Sequence, residues 1–569
     1  MNLVLFTGGS GNANLIRYLK TLSFVNLSLL INGYDDGLST GTIRSANYGM
    51  LGPSDYRKNF TYILDDYSES NQRVKQIFDY RISTEESKQI LQSKASFINR
   101  IINSQVLDER SRRFISKYLW MGLNNLLEHT EDLNLLNDFS VGNIIIGGLY
   151  EETGDFNSAL YELTDFFDLN ARLINVSVDD DSKLVAFDSH SDFMSNEVNI
   201  VNYEGTSPLK DFFLLPLDII SELDHQKNYS IDEIRKMAVI PNISESAKNA
   251  IENADLILFG SGTLFSSLLP SYRICKTVLS QSNAKKVLIV NNDFDSDIRN
   301  ISLNQYINLN LKELESEHYH YFDRIIVDKR SVITNSSTDE NYPNVVETGV
   351  MDQDRKHNGY YLWKNIIRSL DRHDGICLIK IIFPDSVENN VIETYRHEID
   401  DFNKKTYSEI RFEIDGEKTN IKSNYFLILD TSGKINLHDI VTWIKITRSF
   451  NFSAIFGYRF FSRRQLLLSF KKKLVESKVT YLFSLMVANV VSLIYAIRFF
   501  KFKADPLSGI YLIRSDYDFK YTGVPEFLKF INKNQIEILS LPITYRTFKN
   551  VDYLKKTKTL LRNIVKLFI

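Results

Sequence analysis

The chain has 569 residues, 43% apolar and 24% charged, an ordinary globular composition that excludes disorder, collagen and coiled coil as its main state. At roughly 150 residues per domain, three or four domains or two large ones are expected, and two cysteines, Cys275 and Cys377, are too few for a disulfide framework or a thiolate metal site. The net charge of −4 hides a split: residues 441–569 hold 23 Lys+Arg against 7 Asp+Glu, a net +16 that leaves −20 on residues 1–440, so the C-terminal part is expected to meet an anionic surface, lipid or nucleic acid.

The opening MNLVLFTGGSG has neither the basic n-region nor the long apolar h-region of a secretory signal, so the cytosol is the expected compartment. LVLF (3–6) reads as a compact strand, followed by glycines and a helix, NANLIRYLKTL. LSLLIN (27–32) is a second strand, and residues 86–135 read as helical from apolar spacings of three and four. Residues 142–150 open another helix, continued by FNSALYELTDFF. ARLINVSV, LVAFD and NEVNIVNYEG then resemble a strand insertion. ADLILFGSG (254–262), KKVLIVNND (285–293) and FDRIIVDK (322–329) restore an alternation of strand and helix, which predicts a mostly parallel sheet with helices on both faces. Residues 330–360 are polar and weakly periodic and read as a domain boundary. A second α/β series follows: ICLIKIIF (376–383), EIRFEID (409–415), NYFLILD (424–430), SAIFGYR (453–459), GIYLIR (509–514) and IEILSLPITY (536–545).

Chemistry concentrates in the first series. After the first strand, TGGSGNAN carries Gly8, Gly9, Ser10, Gly11 and Asn12. Glycines there let a ligand reach the backbone, and the helix behind them offers N–H groups and its dipole to a phosphate. A tight strand-to-helix turn also needs glycine for purely structural reasons. The pattern recurs in ADLILFGSGTLFSSLLP, with Gly260, Ser261, Gly262 and Thr263. Two such loops at the carboxyl ends of parallel strands would face one crevice and bridge a diphosphate. Between them, NGYDDGLSTGTIR holds Asp35, Asp36, Ser39 and Arg44. The paired carboxylates suit ribose hydroxyls or a magnesium ion on a diphosphate, or form a solvated turn. LGPSDYRKN adds Asp55, Arg57 and Asn59, and FSVGN places Ser140 and Asn143 at a helix start, a capping signal first and an anion site second.

GGSGNANLIRYLK, DDGLSTGTIR, LGPSDYRKN, SVGNIIIGGLYEETGDFNSAL and NADLILFGSGTLFSSLLP follow one another in the order found in the 2-phospho-L-lactate transferase superfamily, which holds the CofD enzymes and the YvcK gluconeogenesis factors. The resemblance covers roughly residues 1–350, and the Asp-Asp-Gly and proline–Asp–x–Arg–x–Asn blocks are more similar to YvcK. CofD enzymes move a phospholactyl group from a guanosine diphosphate donor to a deazaflavin alcohol with magnesium; YvcK proteins bind UDP-sugars. The resemblance therefore implies a nucleotide-diphosphate donor, with residues 8–11 and 260–263 on the phosphates, Asp35 or Asp36 on magnesium or the acceptor hydroxyl, and Asp55 and Arg57 completing the catalytic set.

The C-terminal part, 376–569, resembles a family 2 glycosyltransferase of the polyprenyl-phosphate sugar synthase type, which implies a shortened GT-A-like α/β domain after the Rossmann-like one, with 351–375 as linker. FEIDGEKT, YFLILDTSGK and ADPLSGIYLIRS leave Asp415, Asp430 and Asp505 at family positions. The second metal carboxylate is missing, because Asp-x-Asp has become Asp430-Thr431-Ser432, so the domain is expected to be degenerate. Residues 479–497 hold no charge and reach the length of a membrane span. Lysines and arginines flank them on both sides, which favours an interfacial helix and peripheral attachment, near a membrane-bound glycan pathway. No nucleic-acid partner is expected, since no recognition signature accompanies the basic residues; a homo-oligomer stays open.

Overall fold

The computed structural model describes residues 1–458 apart from 23–24, 35–37, 47–49, 67, 104, 130–135, 179–181, 189, 196–198, 201–202, 204, 206–207, 224–228, 296, 317–318, 334–342, 353, 371–376, 384–388, 406–409, 415–424, 430–432, 436 and 451–453. Beyond 458 it describes the strands 510–514, 538–542 and 545–547. The chain forms two compact units, one spanning residues 1–20 and 25–366 and the other holding residues 367–569.

The first unit is built on a seven-stranded sheet. Its strands are β1 (Asn2–Thr7), β2 (Asn26–Ile31), β3 (Ala171–Asn175), β7 (Leu256–Phe259), β8 (Lys285–Ile289), β9 (Arg324–Asp328) and β10 (Val345–Thr348), in the order β10-β9-β8-β7-β1-β2-β3. Every neighbouring pair is parallel. The central strands are buried along nearly their whole length, as continuous apolar runs such as LVLF require when helices cover both faces. The chain begins at β1 in the middle, steps outward through β2 to β3, then returns to β7 on the other side of β1. The boundary between β1 and β7 is thus the switch point of a doubly wound sheet.

Helices fill the long excursion between β2 and β3. They begin with α2 (Leu38–Ala46), α3 (Ser54–Ile63) and α4 (Glu69–Asp79); α1 (Ala13–Leu19) follows β1. The helical reading of 86–135 resolves into Thr84–Gln92, Lys94–Ile102 and Glu109–Glu128. The single helix expected from residue 142 onward is two, Val141–Thr153 and Phe156–Phe166, because Gly154 adopts φ 66 and ends the first. That left-handed cap is the usual glycine stop.

ARLINVSV, read as part of the insertion, instead supplies β3, an edge strand of the main sheet. Of NEVNIVNYEG, read as part of the insertion's strands, Asn199 and Ile200 are helical and most of the rest lies outside the described residues; the insertion's described strands are β4 (Ser182–Phe187), which pairs antiparallel with β6 (Asp211–Pro216) and with β5 (Phe193–Met194). Val185, Phe187, Phe213 and Leu215 of this small sheet pack with Leu223 and Ile234 in a core of their own. The polar stretch 330–360 contains β10, the seventh strand. As an edge strand, VVET is only partly buried and lacks the apolar run that marks its neighbours. The stretch 351–375 holds the helix Gly359–Leu370.

The second unit carries β11 (Cys377–Ile382), β12 (Ile410–Ile414), β13 (Tyr425–Leu429), β15 (Ala454–Tyr458), β16 (Ile510–Arg514) and β17 (Ile538–Pro542), ordered β12-β11-β13-β16-β15-β17. The sheet is mixed, since β16 runs antiparallel to both β13 and β15. A two-stranded ladder pairs β14 (Gly433–Ile435) with β18 (Tyr545–Thr547). Ile379, Ile381, Phe412, Leu427, Ile440 and Ile444 are buried in this unit. Among the described residues no helix is long and apolar enough to cross a membrane; residues 479–497 lie outside them.

Candidate functional site

Because β1 and β7 are neighbours, with Phe6 opposite Phe259, the glycine loops that follow them leave the sheet side by side. Asn12 fastens one to the other. Its Nδ2 donates to the Ser261 carbonyl at 2.9 Å and to Thr7 Oγ1 at 3.1 Å, while its Oδ1 accepts from the Ser261 amide at 3.0 Å. Ser261 Oγ donates to the Gly11 carbonyl at 3.1 Å. The loops are so close that a Cβ on Gly11 would stand 2.3 Å from the Ser261 carbonyl oxygen, and one on Gly260 would stand 2.5 Å from that of Phe6. Gly11 and Ser10 remain exposed.

The two loops are not equivalent. The second was expected to offer free amides to a phosphate, yet most of its N–H groups are engaged within the protein. Ser261 N–H is held by Asn12, Gly262 N–H donates to Asn291 Oδ1 at 3.0 Å, and Phe265 N–H donates to Asp297 Oδ2 at 2.8 Å. Ser266 N–H also donates to Asp297, and Ser267 and Leu268 N–H donate to the Thr263 carbonyl. A buried carboxylate thus already occupies the positive end of the helix that runs through Leu269–Gln281, where an anion is favoured. Thr263 Oγ1 and Ser267 Oγ share a hydrogen bond of 2.8 Å.

Helix α3 brings the LGPSDYRKN residues to the first loop on one face. Asp55, Lys58 and Asn59 are spaced i, i+3, i+4 and so share a side of the helix. Asn59 Nδ2 donates to the Gly8 carbonyl at 2.9 Å. A Cβ on Gly9 would lie 2.5 Å from Asp55 Oδ1 and 2.7 Å from Lys58 Nζ, and those two groups pair at 3.2 Å. Asp55 is buried, and the Lys58 side chain is 39% exposed. Arg57 points elsewhere: its guanidinium pairs with Asp79 of α4, and its Cδ lies against Gly142. Burial pulls the Arg57 pKa down, against the pull of Asp79.

Ser140 and Asn143 sit beyond Arg57. Ser140 was expected to cap the Val141–Thr153 helix, but its side chain makes no cap hydrogen bond; Oγ donates instead to the Phe78 carbonyl at 2.8 Å. Asn143 Nδ2 donates to Ser54 Oγ at 2.9 Å, which in turn meets Thr40 Oγ1 at 2.7 Å. Asn143 therefore ties the start of α3 to its own helix, with Thr40 of α2 alongside. Asp35 and Asp36 lie outside the described residues, as do Asp415, Asp430 and Asp505; Ser39 belongs to α2. Among the described residues no group of three or more His, Cys, Asp or Glu is placed to hold a metal ion.

The residues that sequence reasoning passed over are Lys58 and the segment NNDFDSD after β8. Asn291 Nδ2 donates to the Gly262 carbonyl at 2.9 Å and also to Asp295, and Tyr306 OH donates to Asn291 Oδ1 at 3.2 Å. Burial pushes the Asp295 carboxyl up to about 7, helped by Asp297 and Asp293 against the Asn291 hydrogen bond. Burial pushes Asp297 up to about 6 against the backbone amides it accepts. A carboxyl whose folded pKa lies above its ordinary value favours the fold when protonated. That contribution is complete below the unfolded value of about 4 and is lost as pH rises through about 6 to 7. Asp297→Asn keeps an acceptor for Phe265 and Ser266, so its unfolding midpoint should fall less than the parent's between about pH 5 and pH 8. Equal falls in parallel thermal melts would show that Asp297 does not titrate in the fold.

A doubly wound sheet with two glycine loops joined at its switch point defines an α/β protein of the kind that binds ligands beyond the carboxyl ends of its strands. The family model described as 2-phospho-L-lactate transferase CofD matches residues 3–364, and the chain belongs to that family. A "Putative gluconeogenesis factor" of Thermotoga maritima is 22% identical over 293 residues, 51% of this chain and 68% of that protein. The "Gluconeogenesis factor" of Halalkalibacterium halodurans is 25% identical over 301 residues, 51% of this chain and 66% of its own length. A crystal structure of a Bacillus halodurans protein aligns with a TM-score of 0.44 at 19% identity, over 64% of this chain and 99% of that one.

Proposed function

We propose that the first unit binds a nucleotide-diphosphate donor across its paired glycine loops. It transfers a phospho-linked small group, phospholactyl-like, to a hydroxyl acceptor and releases a nucleoside monophosphate. The observation that carries this reading is the junction of residues 8–12 with residues 260–263 at the β1–β7 switch point, together with membership of the CofD family. Transfer of this type is mainly positioning and charge neutralisation of a diphosphate. Asp55, beside Gly9, supplies one carboxylate to the chemistry. Magnesium commonly takes one or two carboxylates plus substrate phosphates; Asp35 or Asp36, which lie outside the described residues, would hold it, and the ion would neutralise diphosphate charge.

The test is incubation with UDP- and GDP-linked donors, read as release of UMP or GMP. Gly9→Val places its branches against the side-chain ends of Asp55 and Lys58 rather than against backbone. It should therefore keep the fold and lose nucleotide binding by about tenfold or more, the effect of roughly 1.4 kcal/mol. A Gly9→Val protein that binds every nucleotide as the parent does would refute the site.

A second reading is a non-catalytic UDP-sugar sensor, favoured by relatives that carry the name gluconeogenesis factor. UDP-sugar binding without monophosphate release selects it. For the second unit we propose a degenerate glycosyltransferase-like domain, supported by its mixed α/β sheet and by the altered Asp430-Thr431-Ser432. Its basic surface attaches to anionic membranes near a glycan pathway. Each Lys or Arg near such a leaflet contributes about 1 kcal/mol, so the chain should sediment with anionic vesicles at low salt and leave them at high salt. Failure to sediment at low salt would assign the charge to another partner.

A further inference from the structure

The nucleotide site proposed above needs a cation at the first glycine loop. The chain's basic groups nearby are unequally placed to serve. Arg57, the arginine in the family-like block, is buried, paired with Asp79 and packed against Gly142. Lys20 donates to the carbonyls of Tyr62 and Leu64 at 2.7 and 2.6 Å. The amides of Ser261, Gly262, Phe265 and Ser266 are engaged inside the protein, so the second loop adds little positive potential of its own. Lys58, although paired with Asp55, differs in exposure and in position. It lies on the α3 face that meets the loop, its side chain is 39% exposed, and a Cβ on Gly9 would come within 2.7 Å of its ammonium.

We propose that Lys58 is the residue that binds the ligand's anionic group at Gly9, and that it does so by exchanging Asp55 for that group. The inference rests on the reading of the first unit as a nucleotide-diphosphate site. The pair joins a partly exposed ammonium to a buried carboxylate, whereas a phosphate brings more charge and several acceptor oxygens to an ammonium with three donors. Asp55 then acts as an internal competitor. It holds Lys58 over the loop when no ligand is present and opposes a bare anion when one arrives. The neighbouring residues in the sequence divide the work: Lys58 meets the ligand, while Arg57 joins α3 to α4.

The experiment is calorimetric titration of the full chain, in EDTA, with inorganic pyrophosphate, UDP, GDP, uridine and guanosine. Lys58→Met should lose about tenfold or more in affinity for pyrophosphate and the diphosphates, the fold-change of one charge-assisted hydrogen bond. Its affinity for the nucleosides should stay at the parent's value. Lys58→Arg should retain most of the diphosphate affinity. Asp55→Asn should bind pyrophosphate more tightly than the parent. The parent's affinity should fall more steeply with salt than that of Lys58→Met, a readout that a merely structural lysine would not move. Lys58→Met binding diphosphates within twofold of the parent overturns the inference and leaves the nucleotide site standing. Weaker pyrophosphate binding by Asp55→Asn overturns the exchange. A parent that binds neither pyrophosphate nor any nucleotide overturns both the inference and the site.

Discussion

Gly11→Ala is expected to destabilise the first unit by about 1–3 kcal/mol, the usual cost of overpacking a close-packed contact, and to abolish nucleotide binding with it. The added Cβ would meet the Ser261 carbonyl oxygen at 2.3 Å and its carbon at 2.8 Å. Both are backbone atoms, and the strand β7 and the hydrogen bonds of Asn12 hold that backbone in place. No rotamer change relieves such a clash, so the loops must part. Gly9→Val is the informative contrast, because its obstacles are the ends of two side chains. Denaturant unfolding of the two variants separates the cases: Gly11→Ala loses stability and binding together, whereas Gly9→Val loses binding alone. A Gly11→Ala protein as stable as the parent would mean that the loops are not in contact.

Asn12→Ala is expected to cost about 2–4 kcal/mol. Asn12 is 2% exposed, and its amide satisfies the Ser261 N–H and C=O as well as Thr7 Oγ1. Alanine removes these partners without admitting their replacements. A buried polar group left without a partner costs about 1–3 kcal/mol, and two backbone groups of Ser261 are at risk. Asn12→Asp should fare little better, since its carboxylate accepts from the Ser261 amide but turns a second oxygen toward the Ser261 carbonyl. The consequence for function is indirect: nucleotide affinity should fall because residues 8–11 and 260–263 are no longer held in register. Measuring affinity at a temperature where the variant stays folded isolates that effect. Wild-type stability in Asn12→Ala would show that water satisfies Ser261 and that the residue does not fasten the loops.

Much of the strand and helix content was open to reading from hydrophobic runs. LVLF, LSLLIN, ADLILF, KKVLIV and DRIIVD are short, continuous and bounded by turn residues, and each became a strand of the parallel sheet. The differences have separate causes. VVET at β10 is an edge strand whose partly exposed residues carry no run. DFFLLP at β6 is a buried apolar run, but its place beside β4 is fixed by pairing across 24 or more residues, which no local pattern shows. Gly154 is the local signal that the helix after Ser140 stops, since its left-handed φ ends Val141–Thr153.

In the site, the α3 face was legible in principle. Counting three and four residues from Asp55 reaches Lys58 and Asn59, and leaves Arg57 on another side. The residue types alone, an arginine beside a proline–Asp block, favoured Arg57 instead, and only packing against Asp79 and Gly142 reassigned it. Ser140 shows the same limit: a hydroxyl at a helix start is a sound cap signal, yet its oxygen accepts no cap hydrogen bond and its O–H donates to the Phe78 carbonyl.

What the sequence determined by itself is the pair of strand–glycine–helix units, because glycine tolerance and apolar runs are properties of neighbouring residues. That Asn12 reaches Ser261 across 249 positions was decided by the tertiary structure, since the order of strands in the sheet sets which loops meet. The same holds for Asp297, which takes the amides after the second glycine loop from 32 positions away. Local propensity acts over a few residues, whereas the donors and acceptors left over at strand ends are satisfied by whatever the strand order brings beside them.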